Sequence, residues 1–443
     1  MSEELEPKVV DSDTTVGNYF VANYPPFSFW SPGYLEDAQS ALDKPPAPDT
    51  PLGVYLHIPF CRKRCHFCYF RVYTDKNASE IKSYLDSLVA EMRLYARKAF
   101  IGGRKPQFVY FGGGTPSYLA PKQLKYLTES LSDVLDWSEA EELTFECEPG
   151  TLNETKLKTI RDLGVTRLSL GVENFKDEIL KLNNRAHLSG EVYEAYETAK
   201  KLEFPQINID LIAGMLGETE ENWQDCIEKT LELDPDSITI YQMEIPYNTK
   251  IYKDMQETGV LTAPVADWPT KRRWVQEAFD QLQKNGYKIG SAYTAIKENG
   301  KETRFVYRDS LWRGADLIPL GVSSFGQING FHLQNQHDSA PYESVVADGK
   351  LPLFRAYEMP KEERLIREFI LQLKIGRLNK APFQKKFGVD VIKHFAAPLA
   401  QLTQEGMLSI EGDDIVISRE GLLQVDSFLD KFFLDKHRNA RYV

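Results

Sequence analysis

Cys61, Cys65 and Cys68 fall within eight residues of one another in the segment PFCRKRCHFCYF, while Cys147 and Cys226 stand alone far downstream. Thiolates spaced by three and then two residues can curl around one metal centre while the backbone between them forms a single loop. Three is one short of the four ligands that a closed zinc site or an ordinary ferredoxin cluster takes, and an open position is what chemistry requires. Zinc with His66 as fourth ligand is the alternative; His66 directly follows Cys65, and adjacent residues close a tetrahedron poorly. Cys147 and Cys226 read as small core or surface residues.

The elements that must position this loop can be read from the apolar pattern. Short runs rich in β-branched and aromatic residues begin at Gly53, Gln107, Leu143, Thr166, Ile207 and Ser237, and helical stretches alternate with them. None reads as a half-exposed strand with clean polar alternation, so all six are expected to be buried on both faces, as in a parallel sheet of βα units. From Ser79 to Phe100 an amphipathic helix is predicted, with Ile81, Tyr84, Leu85, Leu88, Met92 and Tyr95 on its apolar face. Six βα units fit a partial, open (β/α)6 barrel, whose functional groups gather at the carboxyl ends of the strands. There the sequence places the cysteine loop, Gly112-Gly113-Gly114-Thr115, Glu146 to Gly150, Gly171 to Asn174, Asp210 and Tyr241 to Glu244.

The pattern Cys-x3-Cys-x2-Cys with Phe67 before the last cysteine resembles the signature of the radical S-adenosylmethionine (SAM) enzymes. The preceding YLHIPF, Tyr55 to Phe60, is similar to the oxygen-independent coproporphyrinogen III oxidase family and its haem-chaperone and methyltransferase relatives. The resemblance implies a 4Fe-4S cluster on Cys61, Cys65 and Cys68 and one or two bound SAM molecules. It implies SAM contacts from Tyr55, Phe67, the backbone of Gly112, Gly113, Gly114 and Thr115, and from Glu146, Glu173, Arg185 and Asp210. It also implies an electron donor such as flavodoxin or ferredoxin, and oxidative decarboxylation of tetrapyrrole propionates through a 5'-deoxyadenosyl radical. Methyl transfer or cyclopropanation with a second SAM is the alternative, and a haem chaperone a third. No acid–base catalytic residue is assigned. The sequence departs from the family at Glu173 and Glu218, anions where neutral amides are usual. It also departs at Tyr307-Arg308-Asp309-Ser310-Leu311-Trp312, where the chaperones carry a haem-ligating histidine.

The expected domains are an extended N-terminal arm (1–50), the barrel (51–290), a connecting substrate region (291–360) containing LGVSSFGQING, and a mainly helical, winged-helix-like C-terminal domain (361–443). In the last, Lys361 to Lys374 and Val389 to Glu405 read as helices, and MLSIEGDDIVISREG as a hairpin turning at Gly412 to Asp414. Basic Lys431 to Arg441 reads as a solvated helix end. Aromatic NYPPFSFW in the arm is expected over the barrel mouth. Tyr24, Phe27, Phe29, Trp30, Trp312 and Phe325 would wall a flat polyanion, with Arg308, Arg313 and Lys63 as anchors. The chain has 443 residues, 65 acidic and 53 basic, for a net charge of −12. That balance leaves no footprint for nucleic acid, and no apolar stretch approaches the ~18 residues of a membrane span. The acidic start carries no secretory pattern. Five cysteines make no disulfide framework. A reduced, cytoplasmic enzyme acting on a small molecule is expected.

Overall fold

Six strands form where the apolar runs predict them: β1 (Leu52–Ile58), β2 (Phe108–Gly113), β3 (Glu142–Cys147), β4 (Arg167–Glu173), β5 (Gln206–Ala213) and β6 (Ser237–Gln242). The structure, a computed structural model, describes residues 20–438; positions 1–19 of the predicted arm and 439–443 of the basic C-terminal stretch lie outside it. The strands are parallel and adjacent in chain order. Parallel neighbours need crossovers, supplied by the helices Ala78–Ala96, Pro121–Val134, Glu154–Asp162, Ser189–Lys201 and Glu220–Leu233. In the first of these, Asn77 accepts from the amides of Ser79 and Glu80, and the apolar face predicted from Ile81 to Tyr95 is buried. The helix stops at Ala96, short of Phe100, and a 3-10 turn follows at Ala99–Ile101.

The expected absence of polar alternation is corrected. Val54, Leu56 and Ile58 of β1, Leu168 and Leu170 of β4, and Ile207, Ile209 and Leu211 of β5 pack outward in one apolar core. The residues between them face the concave side, among them His57, Thr144, Arg167, Ser169, Asn208 and Thr239, and they too are buried. Both faces are buried as predicted, but one of them is polar.

The sheet also extends beyond six strands. On the β6 side lie antiparallel β7 (Tyr287–Ile289) and β8 (Thr294–Lys297). On the other side β9 (Asp316–Leu320) pairs parallel with β1, and β10 (Phe325–Ile328), β11 (Phe331–Asn335) and β12 (Leu353–Glu358) follow antiparallel. The described residues thus include a twelve-stranded sheet, to which residues 291–360 contribute β8 to β12. The arm is not wholly extended either, since Leu35–Leu42 is a helix that buries Ala38, Ala41 and Leu42. Ser31 and Ala356 exchange backbone hydrogen bonds, which fixes the arm to β12.

The C-terminal unit has its own apolar core, to which Tyr24 and Trp312 contribute. The helix Lys361–Leu373 forms as predicted, but the second predicted helix is broken into Val391–His394 and Ala396–Gln404. Pro398 has no amide to donate to the His394 carbonyl, which accounts for the break. The hairpin forms as β14 (Leu408–Glu411) and β15 (Asp414–Ile417), and β13 (Arg377–Asn379) joins it on β15. The basic tail is not simply solvated: Phe432, Phe433 and His437 are buried. Tyr24 lies under this tail, its ring 4.8 Å from Phe433 and its hydroxyl 2.7 Å from His437 Nδ1. No helix among the described residues is long and apolar enough to cross a membrane.

Phe369 is fully buried among Phe395, Phe432 and Phe383, with ring centroids 4.4, 5.1 and 6.0 Å away. Phe369→Ala should cost about 3–5 kcal/mol, the usual range for an emptied aromatic core site, measured as a lowered urea midpoint.

Candidate functional site

Strand register carries the polar residues of the concave face into rows. Tyr55 lies opposite Tyr110, His57 opposite Gly112, Glu146 opposite Ser169, and Asp210 between Gly171 and Thr239. Each carboxylate in this lumen has been given donors. Glu146 accepts from the Tyr110 hydroxyl (2.5 Å) and the Gly113 amide (3.2 Å). Asp210 accepts from Ser169 Oγ (2.8 Å) and Asn208 Nδ2 (2.9 Å). Even so, removal from water pushes the Glu146 carboxyl up to about 7, and Asp210 is raised for the same reason. His57 is pushed down to about 4 by burial, and its Nε2, like Arg167 Nε and Arg185 Nε, is buried without a partner. Tyr307 closes the amino end of the barrel, its ring 4.2 Å from that of Tyr110.

The cysteine loop covers the opposite, carboxyl end. Arg62 makes a two-pronged contact with Glu148 (3.1 and 3.0 Å) and donates to the Ala186 carbonyl (2.9 Å). His187 Nδ1 lies 3.2 Å from the same carboxylate, and these partners hold Glu148 at about 2 despite its burial. Phe67 packs in a small apolar cluster with Ile179, Met215 and Ile251. Gly114 donates to the Ile58 carbonyl, and a side chain there would meet Cys61 Sγ at 2.9 Å. Gly113, at φ +114°, similarly admits the His57 ring. Glycine is required at both positions.

The three thiols interact electrostatically with one another, and burial raises Cys61 to about 12 and Cys68 to about 11. Among the described residues no set of three or more Cys, His, Asp or Glu side chains closes on one point as metal ligands. Cys61 Sγ instead accepts from Thr115 Oγ1 and Cys65 Sγ from Arg185 Nη1, each at 3.3 Å. Metal binding needs thiolates, so a cation that lowers the raised pKa of Cys61 and Cys68 would draw the sulfurs together. The donor set suits an iron–sulfur cluster: three sulfurs on one loop, a glycine cradle beneath Cys61 and a guanidinium beside Cys65. His66 Nδ1 is 3.1 Å from the Leu182 carbonyl.

Most of the residues picked out in the sequence come together here. Arg185 spans Cys65, the Gly171 carbonyl (2.6 Å) and Glu173 (3.5 Å). Glu173 sits at φ +66°, and burial pushes its carboxyl up to about 7. Glu218 has a structural role instead, accepting from the Gly214 and Met215 amides and from Asn174. Arg308 is at the wrong end of the barrel to anchor a ligand at the mouth: it is buried and holds Ser291, Thr294 and Asp309. The helix carrying it is fixed by Val306 and Tyr307 amides on Glu142, at the start of β3. Trp312 lies in the C-terminal core, while Arg313 and Lys63 are exposed. The arm covers β10 to β12 more than the mouth, reaching the end of β6 only where the Phe20 amide meets Glu244. Tyr110, Arg167, Ser169, Asn208 and Thr239 were not anticipated. Their signal was the i, i+2 spacing with residues already chosen, such as Asn208 with Asp210.

A parallel (β/α)6 arc with a three-cysteine loop at its carboxyl end defines a radical SAM protein, and residues 55–230 match the Radical SAM superfamily. The chain thus carries a Radical SAM domain, and the cofactors of that superfamily are a 4Fe-4S cluster and SAM. Residues 359–423 match the HemN C-terminal domain. The chain is 29% identical to the oxygen-independent coproporphyrinogen III oxidase of Helicobacter pylori, over 86% of each protein. It is 28% identical to the heme chaperone HemW of Bacillus subtilis, over 84% of this chain and 96% of that one. The structure of coproporphyrinogen III oxidase (HemN) from Escherichia coli matches with a TM-score of 0.80 at 25% identity, over 96% of this chain and 99% of the other.

Removing Arg62 would leave Glu148 buried with His187 and the Gly150 amide as its donors. Arg62→Ala should lower stability by about 1–2 kcal/mol, the scale of a lost charged hydrogen bond partly open to solvent. It should also expose the cysteine loop to limited proteolysis; a loop as resistant as in the parent would show that other contacts hold it.

Proposed function

We propose that this protein oxidatively decarboxylates a tetrapyrrole propionate by radical SAM chemistry. The observation that carries this reading is the cysteine loop held over a buried polar lumen by Arg62 and Arg185. In this reading Cys61, Cys65 and Cys68 hold the 4Fe-4S cluster. The cluster and SAM supply, when bound, a 5'-deoxyadenosyl radical that takes a hydrogen atom from substrate. Gly112, Gly113, Gly114 and Thr115 let the ligand approach the backbone closely beside Cys61. Arg185 meets the carboxylate of SAM, for which its fork is suited, and Asp210 and Glu146 accept from its hydroxyl and amino groups. Tyr55 and Phe67 flank the pocket, and Glu173 adds an anion facing a cationic ligand. The polar atoms of His57, Arg167 and Arg185 that lack partners support a polar ligand in the lumen. An external one-electron donor is required for SAM cleavage, and a one-electron acceptor for the electron released when the substrate radical loses carbon dioxide.

The HemW relative makes haem binding without turnover the competing reading. At the position expected for the chaperone histidine this chain has Tyr307, whose ring is stacked against Tyr110 inside the barrel.

Anaerobic reconstitution should give about four iron and four sulfide per chain, lost when all three loop cysteines are alanine and kept in Cys147→Ala and Cys226→Ala. Reduced protein given coproporphyrinogen III and methyl-labelled SAM should release carbon dioxide and yield a vinyl product without label. One 5'-deoxyadenosine should form per decarboxylation. Label in the product with S-adenosylhomocysteine would establish methyl transfer, and haem capture without either product would establish the chaperone.

Glu146 and Glu173 are both raised from 4.5 to about 7. Below that pH they are protonated; above it they are anions, and a sulfonium ligand favours the anions. SAM affinity should therefore rise as pH increases through about 7 and level off above it, measured by anaerobic equilibrium dialysis. A flat profile would show that neither carboxyl meets the ligand.

A further inference from the structure

The concave face does not end at β1. Tyr55 lies opposite Pro319 of β9, and Gln327 of β10 lies opposite Leu317, two residues from Pro319 and on the same face; Phe325, two residues from Gln327, shares that face. Phe325 pairs with Gln334, and Gln334 with Arg355. Paired residues, and residues two apart on one strand, share a face, so Tyr55, Pro319, Phe325, Gln334 and Arg355 lie on one face of the sheet, running from the lumen across the added strands. At about 4.8 Å per strand, Arg355 stands ~19 Å along the sheet from Tyr55.

This far end has an unusual composition. Phe325 is 38% exposed although it sits in a strand, and its ring lies 4.7 Å from Phe27 and 5.7 Å from Trp30. Beside this aromatic shelf Arg355 is half-buried. Its Nη1 donates to the Phe27 carbonyl (3.0 Å), its Nε to Gln334, and its guanidinium lies 5.9 Å from the Trp30 ring. Among the described residues it has no carboxylate partner, unlike Arg62, Arg104 and Arg185. Burial accordingly lowers its pKa. A desolvated guanidinium held by a carbonyl and an amide oxygen, both neutral acceptors, retains its full charge for an anion.

We propose that Arg355 is a specificity-determining residue that binds a peripheral carboxylate of the substrate, while Phe27 and Phe325 carry the flat apolar body next to it. The proposal rests on the tetrapyrrole reading above and assigns to one residue the recognition of an acidic side chain remote from the reacting one. It replaces Arg308 and Arg313, which the fold places elsewhere. A carboxylate here would meet a cation at the edge of an aromatic surface, which suits a macrocycle bearing propionates around its rim.

The test uses full-length protein and two stable, fluorescent probes, coproporphyrin III and its tetra-amide. The parent should bind coproporphyrin III in preference to the tetra-amide. In Arg355→Gln the preference for acid over amide should fall at least tenfold, and Arg355→Lys should recover most of it. Equal losses for both probes would mean that Arg355 only supports the arm through Phe27, and unchanged binding of the acid would remove it from the site; either overturns the proposal. A parent protein that binds neither probe would overturn the tetrapyrrole reading along with it.

Discussion

Carboxylates and guanidinium groups in a dry interior persist only where donors or opposite charges replace water. In this molecule that requirement organises the whole carboxyl end of the barrel. Strand register sets Glu146 beside Ser169 and Asp210 beside Gly171, so that each acid reaches donors on a neighbouring strand. The same currency secures the cysteine loop. Glu148 is buried, Arg62 neutralises it and His187 hydrogen-bonds to it, and through Arg62 the loop is tied to Glu148 and Ala186, beyond the ends of β3 and β4. Arg185 then links Cys65 to the strained end of β4 at Glu173. Loop, lumen and strand ends form one electrostatic assembly, and loss of a single charge leaves its partner stranded.

Much of this could be read in the sequence, for identifiable reasons. All six strands follow from β-branched and aromatic runs, because burial on both faces excludes charged residues from the outward positions. The cysteine loop announces itself by spacing alone. What escaped was the alternation. Asn208-x-Asp210 and Arg167-x-Ser169-x-Gly171 are period-two patterns, but their polar members are buried, and polarity is ordinarily taken as a sign of exposure. The added strands were missed for a different reason. β9 joins β1 across more than 250 residues of chain, and nothing local in Asp316–Leu320 shows which edge it will find. Trp312 and Arg308 looked like site residues by type, and only the docking of Val306 and Tyr307 on Glu142 shows that they lie at the opposite end.

The arm is best understood as a filler between two surfaces that would otherwise each be incomplete. Trp30 stacks on His332 at 4.6 Å, covering the concave side of β11. Tyr24 faces the other way into the C-terminal core, and its carbonyl receives His332 Nε2 at 2.9 Å. Buried Lys374 holds the arm at its beginning, donating to the Val21 carbonyl (2.7 Å) and pairing with Asp426 (2.6 Å). The C-terminal unit and the extended sheet thus communicate through side chains of a segment with little secondary structure of its own.

Because β12 is joined to β1 through the strands of one sheet, the face from Tyr55 to Arg355 behaves as a gauge block rather than a jaw. Its length is quantised in strand widths. A ligand larger or smaller by a few ångströms cannot be met by opening or closing this wall. It has to be met by side-chain length at either end, by the arm packed on it, or by gaining or losing a strand. A single-residue insertion within β10 would be harsher still, since it would turn Phe325 to the helix side and bring Gly326 into the row in its place.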